Sequence, residues 1–350
     1  MTPEPPPTSQ PISDPTTDEL PEQFILENGV LSTAELQIEF HRTLRVGDEG
    51  ANALPPGLGR FDIRSVRPLN ERIPEAVRAK GGVLLPMYVR EAMWMSFQAD
   101  EPYAVQIGTG GVGVLTGNDL ESCLRRDPQN YVVTTLQPWI DGYKTATGEV
   151  RQFVGVPSGW GLSVEDQIAP GRSVGGMQIQ VWRLTDEALA RWNEQQQETF
   201  DELSGVCFSP PLEELSVDPR MEFGAGGRIV QEIYADEFAP SDWQPTPMAR
   251  VWIHPVSIAA WCEWTGELAP STPVNTDLYV RAGLPWFDWF DDEHEALAET
   301  ERLARLRSVA ELAGLSDPVH VPVTSWRVTQ IPTRPPMGIV PGSWHWVPER

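Results

Sequence analysis

The densest group of chemistry-bearing side chains is the run PWFDWFDDEHEALAE, which starts at Pro285. Asp288, Asp292 and His294 supply hard oxygen ligands and one imidazole, a donor set suited to a divalent metal that activates water. On a helix Asp288 and Asp292 stand at i and i+4, as do Asp291 and Glu295, so a cation would fit between pairs. A competing reading makes these acids the first turn of a helix, where they meet its positive end. Trp286, Phe287, Trp289 and Phe290 would then anchor the helix to the body. Helix capping is the reading adopted, and a metal-assisted hydrolase stands as the alternative.

Other constellations are incomplete. His41, His254, His294, His320 and His345 form no HxH or HExxH, so structural roles are expected for them. No GxSxG or P-loop occurs, and Ser158 sits in a Gly/Pro turn with a conformational role. Gly108, Gly110 and Gly113 match GxGxxG, but VGVLT continues as strand where a dinucleotide site needs a helix. A glycine hairpin turn is the expectation, with no cofactor. Cys123, Cys207 and Cys262 are widely spaced and are read as small buried hydrophobes. Arg151 with Gln152, and Gln178 with Gln180, lie on strands and would turn polar groups toward a cavity.

The elements that must position these residues are mostly strands. Leu36, Ile38 and Phe40 alternate with Gln37, Glu39 and His41, the pattern of a half-buried strand. YAVQIG, VGVLTG, YVVTT, VRQFVGV and MQIQVWRL read the same way, divided by Gly, Asn, Asp and Pro turns. Short helices are expected at NERIPEAVRAKGG, just after Pro86, at NDLESCLRR, and after Thr185 as N-cap. A long C-terminal helix is expected over 291–314, stopped by Gly314. The fold class is therefore α+β and β-rich, with mixed or antiparallel sheets, a few short helices and one long C-terminal helix. GGMQIQVWRLTDE and GGRIVQEIYADE echo each other, as a duplicated sheet would.

Residues 1–22 carry Pro, Thr, Ser and acids with hardly an apolar side chain, so a disordered tail is expected. Residues 23–350 form the globular body, with a division into two sub-domains near 205–220. Two Trp in the last twenty residues favour packing of that end on the body.

Acids outnumber bases 50 to 26, for a net charge of −24. Such a chain is repelled by phosphate backbones and anionic lipid surfaces, which argues against nucleic-acid and membrane partners. Lys80 and Lys144 are the only lysines. Three scattered cysteines and an N-terminus without an apolar h-region point to the cytoplasm.

RDPQNYVV, QPWIDGY, VRQFVGVP, GGMQIQV, GGRIVQEIY and AGLPWF resemble a family of uncharacterised bacterial and fungal proteins. The resemblance covers about 35–330 and implies one conserved body; it carries no activity, cofactor or site residue. The functional expectation is a soluble, acidic, intracellular protein with a binding or assembly role, its partner another protein or a small ligand.

Overall fold

The computed structural model describes residues 24–48, 50, 52–69, 72–197, 221–273, 279, 286–288, 294–314 and 328–330. The tail over 1–22, the division near 205–220 and the last twenty residues lie outside them.

Period-two alternation builds the first sheet. The hairpin of β1 (Ile25–Glu27) and β2 (Val30–Thr33) feeds β3 (Leu36–Thr43), where Leu36, Ile38 and Phe40 are buried as their alternation predicts. Then come β4 (Gly57–Arg60), β5 (Arg64–Ser65), the short helix α1 (Glu75–Arg78), β6 (Val83–Met87) and β7 (Ala92–Gln98). Pro86 lies inside β6, and the segment after it is a strand where a helix was expected. The correction has a simple cause: Ala92–Gln98 is hydrogen-bonded along its length to β3, leaving its backbone groups no helical partners.

Further along run β8 (Tyr103–Thr109), β9 (Val112–Gly113), β10 (Val132–Val133), β11 (Trp139–Ile140), β12 (Gly142–Ala146) and β13 (Glu149–Pro157). Gly110 and Gly111 turn β8 into β9 with φ of 55° and 73°, the left-handed pair that a two-residue hairpin turn demands. The GxGxxG run is thus a hairpin, as its strand continuation implied. NDLESCLRR forms no helix. It lies over the sheet, because the carbonyls of Glu121 and Cys123 accept from Gln180 Nε2 (3.4 Å) and Gln106 Nε2 (3.3 Å).

The helix α2 (Val164–Ile168) precedes β14 (Met177–Arg183), and α3 (Asp186–Gln197) follows it. Thr185 Oγ1 accepts from Ala188 N at 3.3 Å, so Thr185 caps α3 as its position suggests. After β15 (Met221–Val230) and β16 (Ala249–Ser257) come α4 (Ile258–Thr265) and β17 (Trp286–Asp288). The described chain closes with α5 (Glu301–Ala304), α6 (Val309–Ala313) and β18 (Val328–Gln330).

One sheet has nine strands along the path β1-β2-β3-β7-β13-β12, with β4, β11 and β15 joined to it. The other has seven, ordered β10-β8-β14-β16-β6-β5, with β9 at β8. β17 and β18 form a separate parallel pair. The main apolar cluster draws on both large sheets, setting Ile38, Phe40 and Phe153 in one core with Ile107, Ile179 and Val181. This is the β-rich α+β architecture expected. The two Gly-Gly echoes are not equivalent: Gly175 and Gly176 precede β14 in a turn, whereas Gly226 and Gly227 lie inside β15 of the other sheet.

The long C-terminal helix is absent from 294–314. Leu297 N donates to Ile233 O (2.7 Å) and Ala235 N to Glu295 O (2.8 Å), so this stretch is paired as extended chain. The remaining helix is broken into α5 and α6. Ser308 starts α6 with a capping box closed by Glu311, and Gly314 ends it at φ 60°.

Candidate functional site

Asp288 lies on the strand β17 and not on a helix. Asp292 and the side chain of Asp288 fall outside what is described. His294 is half-buried, with Nε2 3.6 Å from Glu237 and its ring 5.8 Å from that of Tyr234. Among the described residues no three His, Cys, Asp or Glu side chains are grouped to hold a metal ion.

A Ser–His–acid arrangement does exist, but with the wrong connectivity. His41 Nε2 is 2.8 Å from Ser96 Oγ and 3.4 Å from Glu39, so hydroxyl and carboxylate share one ring nitrogen. A nucleophilic triad needs the acid on the other nitrogen, orienting the base. Burial and the nearby Arg60 hold the imidazole down at about 3, and it stacks on Trp94 at 4.0 Å. It is a structural histidine. So is His254, lowered to about 4 by burial, whose Nε2 lies 2.8 Å from Gly81 O. Ser158 donates to Glu222 at 2.7 Å in its turn.

The buried polar strand residues tie loops down and leave little for a cavity. Gln152 accepts from Val46 N and donates to Leu44 O, both at 2.8 Å. Arg151 donates to Asp48 and to Gly226 O. Gln178 accepts from Gly111 N (3.0 Å) and donates to Gly175 O (3.1 Å), while Gln180 donates to Gln106 (3.0 Å). Cys123 and Cys262 are half-buried and not fully buried: Cys262 packs against the apolar cluster around Trp261 and Trp264, whereas Cys123 Sγ lies 3.3 Å from Glu121.

A cavity opens where β6 starts late beside β16. The parallel pairing begins at Val83 opposite Ile253, so Arg250 and Val251 pair with β14 on one side only. The gap, about 280 Å³, is walled by Phe24, Leu26 and Leu31 from the β1–β2 hairpin, and by Val83 and Val251. Arg67, Lys80, Arg250 and Trp252 also line it. Lys80 comes from the turn after α1. Its Nζ sits 4.2 Å from the centre of the Trp252 ring and donates to Val174 O. A cation over an indole face is held electrostatically, most strongly when partly desolvated.

Gly82 makes the close approach possible. It stands at φ 81°, and a Cβ there would lie 2.0 Å from Trp252 O. Gly82→Ala is expected to destabilise by roughly 2–3 kcal/mol, the range for forcing atoms into a filled site. A denaturant midpoint unchanged from wild type would contradict this packing.

None of the four residues Arg67, Lys80, Arg250 and Trp252 stands out by spacing. The available signal was scarcity: of two lysines, one is placed over this tryptophan. The other, Lys144, is buried with Nζ on Ala298 O, and burial lowers it to about 8.

Fold and cavity together define a β-rich α+β protein with a pocket beside β16 where β6 begins. Comparison with family models, with curated proteins and with solved structures returns no match. Among the described residues no helix is long and apolar enough to cross a membrane.

Proposed function

We propose that this chain is a binding protein whose ligand occupies the cavity at the β16 edge. The observation that carries the reading is the convergence of Arg67, Lys80, Arg250 and Trp252 on one recess with five apolar walls. Small-molecule sites combine such apolar lining with a few polar groups that fix orientation. The hydrolase alternative would need Asp288, Asp292 and His294 held as a ligand set, and Asp288 lies on a strand and not on the helix that idea assumed.

A charge-balanced fragment library, screened by ligand-observed NMR against the full chain, tests the reading. Hits are expected whose signals vanish in Ser65→Trp, which fills the cavity from half-buried Ser65. Hits that persist in a folded Ser65→Trp protein would place binding elsewhere, and an empty screen would remove the proposal.

A further inference from the structure

We infer that the ligand of this cavity is an extended peptide of a partner protein, which adds to the edge of β16 as a short strand. The inference rests on the binding reading above and names its ligand class. β14 flanks one side of β16 from Ala249 to Ile253, and β6 flanks the other from Ile253 to Ser257. On the β6 side of Arg250, Val251 and Trp252 lies the cavity, bordered by Gly82 and Val83 where β6 begins. The chain before β6 leaves the line of the sheet at Gly81 and Gly82, whose φ values are 65° and 81°. The cavity thus occupies the line that β6 would follow if prolonged past Val83. Three residues of strand span about 10 Å, so the segment that fits is short.

The lining is divided as a strand requires. Side chains of a strand alternate between the two faces of its sheet. Val251 faces the main core with Val83 and Leu31, and Phe24 and Leu26 pack against that core. Trp252 stands on the opposite face beside His254, its ring 6.2 Å from the imidazole. β6 shows what this line accepts: Val83, Leu85 and Met87 enter the main core, while Leu84 joins a separate cluster with Trp261. An added strand would turn one apolar side chain inward to Val251 and Leu31, and its neighbours outward beside Trp252. In this mode of recognition main-chain bonds to an edge supply affinity, and the pocket for the alternate side chain supplies specificity. The chain's own residues 1–23 suit the slot poorly, because seven of them are proline, which has no N–H for a ladder.

A phage-displayed library of random linear heptapeptides is selected on the full chain, and the peptides recovered are measured by titration calorimetry. Peptides with an apolar residue at their centre are expected, binding Ser65→Trp at least about tenfold more weakly. Methylating their backbone nitrogens one at a time should weaken binding at least about fivefold at every second residue and under about twofold between, because an added strand turns only alternate N–H groups to β16. Hydrogen exchange, which needs no variant, should show peptide-induced protection within 249–253. Uniform effects of methylation, or protection confined to another segment, overturn the inference, as do peptides that bind a folded Ser65→Trp equally well. A peptide of residues 1–23 that competes at equal affinity, or a dimer abolished by Ser65→Trp, would make this chain its own partner and overturn it too. An empty selection beside fragment hits lost in Ser65→Trp removes the peptide inference alone; with an empty fragment screen as well, both fall.

Discussion

Asp236→Ala is expected to destabilise the protein by roughly 3–5 kcal/mol, the scale of stranding three donors that one buried carboxylate satisfies. Asp236 is only 2% exposed. One of its carboxylate oxygens accepts from Tyr131 Oη (2.5 Å) and Trp243 Nε1 (2.9 Å), and the other from Phe238 N (2.9 Å). Its own N–H donates to Gln129 Oε1 at 2.8 Å, while Arg126 donates to the carbonyls of Asp236 and Phe238. The carboxylate therefore binds the segment after β15 to the outer face of the seven-stranded sheet, where Tyr131, Trp182 and Trp243 share an apolar cluster. Without it, two buried side-chain donors and one backbone donor are stranded. Each costs about 1–3 kcal/mol when left unsatisfied in the interior. Urea denaturation of wild type, Asp236→Ala and Asp186→Ala provides the check. Asp186 pairs with Arg183 on the surface, so its loss should cost less than about 1 kcal/mol. Equal effects at the two positions would show that Asp236 is not a structural hub.

The second large effect depends on pH. Asp141 is buried between β11 and β12, 3% exposed. Burial raises its pKa to about 7, against the lowering effect of hydrogen bonds from Trp139 and Gln231. Gln231 Nε2 donates to Asp141 Oδ2 at 2.9 Å, and Asp141 N returns a bond to Gln231 Oε1 at 3.0 Å. Between about pH 4 and 7 the folded state holds this proton while the unfolded state has released it, so stability falls as pH rises through that window. At about 1.4 kcal/mol per pKa unit, the effect is on the order of 4 kcal/mol.

Other groups titrate in the same range with the opposite sign. His41 and His254 are lowered in the folded state, so their contribution to stability rises with pH up to the ordinary histidine value near 6.5. The measurement is therefore a difference. Wild type and Asp141→Asn are unfolded by urea at half-unit steps from pH 4 to 8. The wild type should lose stability relative to Asp141→Asn across the window, and parallel curves would refute the assignment.

Much of the strand framework was legible because its causes are local. The alternation of Leu36, Ile38 and Phe40 dictates which face of β3 is buried, whatever partner covers it. Gly110-Gly111 specifies a tight hairpin because few other residues adopt two consecutive left-handed conformations. Thr185 and Gly314 mark helix ends through hydrogen-bond chemistry confined to one turn. The failure at 294–314 is equally instructive. Leu297, Leu303, Leu306 and Val309 have helical spacing, yet the backbone around Leu297 pairs with Ile233 and Ala235. Ser308 and Glu311 carried a capping box that marked a second helix start inside the supposed single one.

The cavity was not legible, and the reason is topological. Phe24, Arg67, Lys80 and Arg250 come from four separate segments. They meet because β6 joins β16 in parallel at Ile253, four residues after the antiparallel pairing on its other side begins, where β14 sets Val181 against Ala249. By itself the sequence determined the β-rich class, the turns, the acidic surface and the rarity of lysine, each a property of composition or of a few neighbouring residues. Tertiary structure alone decided which strand starts late and which cations gather at the gap, because strand register follows from packing among residues far apart in the chain.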